Sequence, residues 1–110
     1  MGKFIITKRK DGEYQFNLKA GNGEIILTSE GYNTKAGCKN GIESVKINSQ
    51  IDSRFERRTS TNYKDYFVLK DGNGEIIGKS QLYSTKQGME NGIASVKQNA
   101  PVAETIDETN

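Results

Sequence analysis

The stretch GNGEII, residues Gly21–Ile26, is written a second time as Gly72–Ile77, 51 residues later in the chain. In the first copy it follows EYQFNLKA (13–20), where apolar and polar residues alternate as in a half-buried strand. It continues into EIILTSE (24–30), a second run that suits a strand. Asn-Gly between two such runs favours a two-residue hairpin turn, because both residues accept a positive φ. The repeated stretch therefore predicts the corner of a β-hairpin, used once in each copy.

The repetition extends well beyond the hairpin corner. Between Phe16–Asn48 and Phe67–Asn99, 21 of the 33 aligned positions carry the same residue, so the chain contains two copies of one unit. The apolar residues Phe4, Phe55 and Ile106 are also spaced 51 residues apart, and the last of them follows the second copy. Three equivalent strands for two units predict that a strand is shared or exchanged between the copies.

Each predicted hairpin has one apolar face, whose pairing follows from the position of the turn. With Asn22-Gly23 at the tip, residues on the two strands face each other in a fixed register. The predicted pairs are Phe16 with Ser29, Leu18 with Leu27 and Ala20 with Ile25 in the first copy, and Leu69 with Gly78 in the second. At the last pair we expect the larger side chain to fill the space that glycine leaves.

A helix is predicted after each hairpin. Thr34 and Thr85 are suitable N-caps, since a threonine oxygen accepts hydrogen bonds from the free amides of a first turn. Small and apolar residues then recur at i, i+3, i+4 and i+7, which is typical of a helix face laid on a sheet. These residues are Cys38, Gly41, Ile42 and Val45 in the first copy, and Met89, Gly92, Ile93 and Val96 in the second. Because glycine costs a helix about 1 kcal/mol relative to alanine, the two glycines predict a close approach of helix and sheet.

Composition and spacing favour a single thin domain. The chain has 110 residues, of which 33% are hydrophobic and 27% charged, as suits two layers with a large wet surface. No Gly/Ser-rich or Pro-rich linker separates the copies, and one copy alone offers a poor core. We therefore predict one domain, residues 1–110, made of a first repeat (about 1–52) and a second repeat (about 53–110) that includes the final strand.

The predicted fold class is α+β. Two tandem βββα(β) repeats form one antiparallel sheet, with two helices on one face and exchanged C-terminal strands. The strand around Ile106 returns to the edge of the first copy, which gives the domain pseudo-two-fold symmetry.

The chain resembles the YegP-like family of small bacterial proteins. The resemblance rests on FNLKAGNGEIILTSEGY (16–32) and NGIESVK (40–46), and on their second copies FVLKDGNGEIIGKSQLY (67–83) and NGIASVK (91–97). It covers essentially the whole chain and implies a βββα-β repeat, with two copies in one antiparallel sheet and C-terminal strands exchanged between them. It implies no catalytic residue, because no biochemical function is established for the family.

The residue types argue against several kinds of catalytic site. The chain has no histidine, which removes Ser-His-Asp and Cys-His arrangements and most zinc sites. Cys38 lies near a helix start, where the dipole lowers a thiol pKa, but its counterpart is Met89, so we interpret it as a buried apolar residue. Glu24 and Glu75 occupy matching places after the two turns, and we expect the hairpin tips to hold them apart. We predict no catalytic, cofactor-binding or metal-binding residue, and a protein that is not an enzyme.

The sheet face opposite the helices is the surface that we expect to be open. The possible interaction face consists of Lys19, Ile26, Tyr66, Val68, Lys70, Ile77 and Lys79. Three interpretations stay open for it: an inert surface, contact with a protein, and contact with RNA or single-stranded nucleic acid. The last would use the lysines of this face together with the Arg54–Arg58 cluster, although Tyr66 is its one clear stacking aromatic.

The expected function is that of a small non-enzymatic interaction or structural module of the bacterial cytoplasm, acting through the open sheet face or a sheet edge. The alternative is RNA or single-stranded nucleic-acid binding, which a net charge of only +2 does not favour by itself. The N-terminus MGKFIITKRK lacks a signal-peptide apolar run, and no segment approaches the ~20 apolar residues of a membrane helix. We expect no cofactor, no membrane contact, an unidentified protein as the favoured class of partner, and a monomer with internal pseudo-two-fold symmetry.

Overall fold

The structure is a computed structural model that describes residues 2–109. Those residues form seven strands and two α-helices, with a short 3-10 turn before the fourth and the seventh strand. In chain order the elements are β1 (Lys3–Lys8), β2 (Tyr14–Lys19), β3 (Ile25–Thr28), α1 (Lys35–Asn48), β4 (Phe55–Thr59), β5 (Asp65–Lys70), β6 (Ile76–Lys79), α2 (Lys86–Asn99) and β7 (Glu104–Asp107).

The strands make one sheet in the order β4-β5-β6-β3-β2-β1-β7. The two repeats meet in its middle, where β3 pairs with β6 through Thr28 and Lys79. These two residues occupy the same position of the two repeats, so the pseudo-two-fold axis passes between them. Both helices lie on one face of the sheet, over a single cluster of buried side chains. The predicted α+β fold with a tandem repeat is confirmed.

The C-terminal strands are exchanged between the repeats, as predicted. β4 follows α1 yet pairs with β5, so it ends the first repeat and begins the second. β7 follows α2 and returns to β1 of the first repeat. If β7 followed the example of β4, which pairs with β5, it would pair with β2. That edge of β2 is already occupied by β1. β7 therefore lies one place further out, with the direction of β1.

Two predictions about this last strand need correction. The sheet is not wholly antiparallel, because β7 pairs with β1 in parallel. Ile106 also lies beside Ile5 rather than Phe4, which faces the core, while Thr105 is the residue in register with Phe4. The spacing of 51 residues therefore finds the strand but assigns its apolar residue to the wrong face.

The hairpin corner differs from the predicted two-residue turn. Gly23 has the positive φ of +86°, its N–H donates to the Ala20 carbonyl at 2.9 Å, and the Ala20 N–H donates to the Glu24 carbonyl at 2.8 Å. The turn is thus centred one residue earlier, and Gly23 adds an extra residue to the loop. Lys19 consequently pairs with Ile25, where Ala20 was expected, while the predicted Leu18–Leu27 pair is confirmed. The second hairpin has the same register shift.

The helices lie on the sheet through the predicted stripes. Thr34 and Thr85 cap them, each side-chain oxygen accepting from the backbone N–H three residues later. The stripe residues of both helices are buried, and Cys38, Ile42 and Val45 are at most 1% exposed. A Cβ on Gly41 would overlap the Tyr32 hydroxyl, so the glycine admits a tyrosine from the loop before α1 as well as the sheet below.

Candidate functional site

The predicted interaction face does not expose its apolar residues. Ile26, Val68 and Ile77 are only 3%, 1% and 7% exposed, so the expectation that they lie open is wrong. Ile26 and Ile77 join the core, and each is the residue left without a pairing partner where the register of its hairpin shifts. Val68 keeps the predicted face and is instead covered by its neighbours there.

Those neighbours form a network of charged side chains over the second repeat. Glu56 lies opposite Val68 on β4 and accepts hydrogen bonds from Lys70 Nζ at 2.7 Å and from the Arg58 guanidinium. The hydrogen bonds from Lys70 first and Arg58 second hold the pKa of the Glu56 carboxyl below its usual value. Lys79 places its ammonium 5.1 Å from the centre of the Tyr66 ring. Four of the predicted residues, Tyr66, Val68, Lys70 and Lys79, therefore do lie together.

The remaining predicted residue, Lys19, belongs neither to the core nor to this group. Lys19 lies on β2, which is separated from β5 by β3 and β6. It pairs with Lys3 on one side and Ile25 on the other. The predicted face therefore consists of two unlike halves, and among residues 2–109 only the half in the second repeat carries a connected set of charges.

Cys38 is fully buried, as its interpretation as an apolar residue requires. Burial first, and the nearby Asp107 carboxylate second, raise the pKa of its thiol to about 11. The thiolate that a nucleophile needs is thus strongly disfavoured at neutral pH.

A cleft between α1 and the second hairpin carries more acidic residues than the corresponding place in the other half of the molecule. It has a volume of about 430 Å³ and carries Glu30, Asp71 and Glu75 around the Tyr32 ring. Burial raises the pKa of the Tyr32 hydroxyl, and Cys38, Glu30 and Asp71 raise it further. At the corresponding places of the other half, Gln81 and Ala20 replace Glu30 and Asp71. The two repeats have therefore diverged in charge around the same scaffold.

The outer edge of β1 is covered by β7. Ile6 is in register with Asp107, and its carbonyl accepts a hydrogen bond from the Glu108 N–H at 2.9 Å. On the helix side, Asp107 forms an ion pair of 2.8 Å with Lys35, the first residue of α1. The hydrogen bond from Lys35 first, and those from Thr109 next, hold the pKa of the Asp107 carboxyl well below its usual range.

The outer edge of β4 is the matching edge of the second repeat, and no described residue pairs with it. Arg57 stands there in the place of Ile6, since Arg57 pairs with Phe67 as Ile6 pairs with Phe16. Beside this edge, a groove of about 260 Å³ runs between β4 and α2. It is lined by Arg57, Arg58, Thr59, Asp65, Lys86, Met89 and Glu90.

The lining of this groove repeats the surroundings of Asp107. Lys86 is the counterpart of Lys35 and Met89 that of Cys38, each 51 residues later. Lys86 is exposed, whereas Lys35, beneath β7, is partly buried. We refer to this groove and the outer edge of β4 together as the β4 slot.

One ion pair occupies part of the β4 slot. Arg57 donates from Nε and Nη2 to the two carboxylate oxygens of Glu90, at 2.6 and 3.0 Å. Asp52 lies 3.9 Å from the same guanidinium. Lys86 takes no part in the ion pairs found among residues 2–109. The slot therefore holds one basic group that is not committed to an acid.

An exposed aromatic side chain follows the same edge. Tyr63, in the turn after β4, is 85% exposed and has a φ of +63°. Its counterpart is Gly12, with a φ of +87°, for which that conformation carries no penalty. The chain therefore keeps a strained tyrosine at the surface where the other repeat has a glycine.

Sequence reasoning missed the β4 slot, although the chain contains a signal for it. Phe4, Phe55 and Ile106 mark three equivalent strands, and the first and third turn out to be neighbours at one edge. The matching neighbour of the strand around Phe55 is missing from the described chain. The spacing of 51 residues between Lys35 and Lys86 would then have located the basic group of the slot.

Two kinds of feature are absent from residues 2–109. No group of three or more Cys, Asp or Glu side chains within 2–109 is arranged to hold a metal ion. In the same part of the chain, neither helix is long and apolar enough to cross a membrane.

Comparisons with known proteins agree on the family to which this chain is similar. A domain family described as a domain of unknown function, DUF1508, matches residues 10–56 and again residues 60–107. The UPF0339 protein ACIAD0721 of Acinetobacter baylyi is 52% identical over 98% of this chain and 97% of its own. The UPF0339 protein YegP of Escherichia coli O157:H7 is 50% identical over 98% of both chains.

Two solved structures share the fold. The solution NMR structure of YegP from E. coli, a protein of unknown function, has a TM-score of 0.94 and 49% identity, over 99% of this chain and 94% of that one. The solution NMR structure of the UPF0339 protein SO3888 from Shewanella oneidensis has a TM-score of 0.93 and 46% identity, over 98% of this chain and 92% of that one.

Proposed function

Because the chain belongs to the DUF1508 family and holds two copies of its domain in one sheet, we propose a function from the difference between the two copies. The protein is a non-enzymatic interaction module of the bacterial cytoplasm, monomeric when free. It binds an extended segment of a partner protein along the outer edge of β4. The observation that carries this proposal is that β7 covers the edge of β1, while the equivalent edge of β4 has no neighbour among residues 2–109.

Backbone geometry supports strand addition at this edge. The Ile6 carbonyl accepts from β7, so both polar backbone groups of Ile6 face that neighbour. The same groups of Arg57 face outward from β4, since the pairing of β4 with β5 repeats that of β1 with β2. Unpaired groups in a row are a template for an incoming strand.

The charges of β4 favour a foreign strand over a second copy of β4. Glu56, Arg57 and Arg58 occupy the middle of the strand, and charged edge residues resist edge-to-edge pairing of identical chains. Nucleic-acid binding draws less support from the same residues. Arg58 and Lys70 are both bound to Glu56, and Arg57 is bound to Glu90.

Selection of short peptides on the full chain tests the proposal. A phage-displayed random library is panned against the protein, and selected peptides are titrated while amide resonances are followed by NMR. We expect shifts concentrated at Phe55–Thr59. Failure to select any peptide, or shifts that leave this strand untouched, contradicts the proposal.

Two substitutions at one position provide the matched control. Arg57→Pro removes an outward N–H, which an edge strand tolerates, whereas Arg57→Ala removes the same side chain and keeps the N–H. We expect peptide binding by Arg57→Ala and none by Arg57→Pro. If Arg57→Pro fails to fold, protection of the Arg57 amide from hydrogen exchange in the wild-type complex replaces it. Binding of single-stranded RNA with a steep loss on adding salt, and no peptide binding, would favour the nucleic-acid alternative.

A further inference from the structure

We infer that the β4 slot binds a partner strand that runs parallel to β4, and that Lys86 recognises a carboxylate of that strand. The inference rests on the proposed function and adds the chemistry of the partner segment. In the first repeat the corresponding place is filled by the chain's own β7, so direction, register and charge of the expected segment follow from named contacts.

Asp107 defines what an occupied slot looks like. Its carboxylate lies on the helix side of the sheet, 2.8 Å from Lys35 Nζ, and the strand that carries it is parallel to β1. Beneath it is Cys38, and burial first and this carboxylate second raise the pKa of its thiol. One side of the covered edge thus consists of three groups: an acid, a lysine at a helix start and a buried sulfur residue.

The β4 slot contains counterparts of the lysine and of the sulfur residue in that arrangement. Lys86 begins α2 as Lys35 begins α1, and the buried sulfur residue is Met89, 4% exposed. The groove between them has no carboxylate in the position of Asp107. Its charged side chains are three basic groups and two acids, Asp65 and Glu90, and Glu90 is held by Arg57. An incoming carboxylate therefore meets Lys86, the basic group of the slot that takes no part in the ion pairs found among residues 2–109.

The two edges differ beside the residue that precedes the acid. Ile106 faces away from the helices beside Ile5, and the counterpart of Ile5 is Glu56. A partner residue in the place of Ile106 would lie beside that carboxylate, which already accepts hydrogen bonds from Lys70 and Arg58, so a basic residue finds no free acid there. The segment that fits the β4 slot is thus specified by its acidic residue, with no preference for a basic residue directly before it.

Synthetic peptides based on β7 serve as probes. The first has the sequence AETIDET of residues 103–109, the second replaces its aspartate by asparagine, and the third replaces its isoleucine by lysine. Each is titrated into the full-length chain and followed by NMR at the amides of β4 and β1. We expect binding at β4, weakened about tenfold by the asparagine, since a charge-assisted hydrogen bond is lost. The lysine peptide should bind no more tightly than the first.

Variants of the receiving lysine complete the test. Lys86→Gln should bind the aspartate and asparagine peptides equally, while Lys86→Arg should keep the preference for aspartate. A spin label on the peptide N-terminus should broaden Phe55 rather than Tyr63, because the strands run in parallel. Equal binding of both peptides by the wild type, broadening at Tyr63, or shifts at β1 alone would each overturn the inference.

The two proposals fail in different ways. If the library selection yields peptides that bind β4 without an acidic residue, the proposed function stands and the inference about Lys86 falls. If no peptide of any kind binds along β4, both fall together.

Discussion

The side chain of Leu27 fills the space over Gly78, which is its own counterpart in the second repeat. A Cβ built on Gly78 would lie 2.6 Å from both Cγ and Cδ2 of Leu27. The neighbouring pair Thr28–Lys79 marks the pseudo-two-fold axis, so the two positions compete for one volume. The sequence places Leu69 opposite Gly78, which is correct, but Leu27 is the residue that takes up the room across the axis. Two large side chains do not fit there, and the overlap is avoided because the position is leucine in one repeat and glycine in the other.

This contact predicts a specific loss of stability. Gly78→Ala should lower the free energy of unfolding by about 1–3 kcal/mol through overpacking, and Leu27→Ala by about 2–5 kcal/mol through the cavity it leaves. The double variant should lose less than the two single variants together, because the smaller residue 27 leaves room for the new methyl group. Urea denaturation measures all three. Additive losses would mean that the two positions do not share one space.

Cys38 is predicted to be inert in the folded protein. Because burial and Asp107 raise the pKa of its thiol to about 11, little thiolate exists at neutral or mildly alkaline pH. A disulfide reagent such as Ellman's should react with it only after denaturation. Rapid modification of the native chain, at the rate of the unfolded chain, would contradict the buried position.

The ion pair between Asp107 and Lys35 predicts a pH dependence. Since folding lowers the pKa of the Asp107 carboxyl, its stabilising effect is present above the ordinary aspartate pKa and is lost as the pH falls through the lowered value. Wild type should therefore be more stable than Asp107→Asn at neutral pH. The difference should shrink on acidification. Urea denaturation of both chains over a pH series checks this, and a difference that does not change with pH would count against the pair.

The turn after β4 predicts a gain in stability. Tyr63 adopts a φ of +63°, which costs a residue with a Cβ roughly 1–2 kcal/mol and glycine almost nothing. Tyr63→Gly should therefore raise the midpoint of thermal unfolding, with a gain on the order of 1 kcal/mol. As a control, Gly12→Ala in the matching turn should lower it. A loss of stability in Tyr63→Gly would show that the exposed ring makes contacts that outweigh the strain.

Much of the fold follows from the repeat itself. The offset of 51 residues predicts two copies, and the buried stripe with Cys38, Ile42 and Val45 follows from the helical period. The resemblance to YegP-like proteins, drawn from the same segments, is confirmed by relatives about half identical over nearly the full chain.

The features that were not predicted from the sequence depend on single residues. Ile26 turns inward where the register of the hairpin shifts and leaves it unpaired, and an Asn-Gly pair does not distinguish this longer loop from a two-residue turn. Val68 lies on the predicted face but is buried by long charged side chains, which a pattern of alternating polarity does not count as cover. The predicted domain boundary near residue 52 and the interaction role of the remaining surface residues stay predictions.

Hydrogen exchange at two equivalent amides tests the central claim most directly. Among residues 2–109, β7 closes the edge of β1, and no strand pairs with the equivalent edge of β4. In the free chain, the Ile6 amide should therefore exchange slowly, and the Arg57 amide should exchange nearly as fast as in an unstructured peptide. Equal protection of the two amides, measured by NMR on a dilute sample, would mean that the edge of β4 is already covered and would contradict the account.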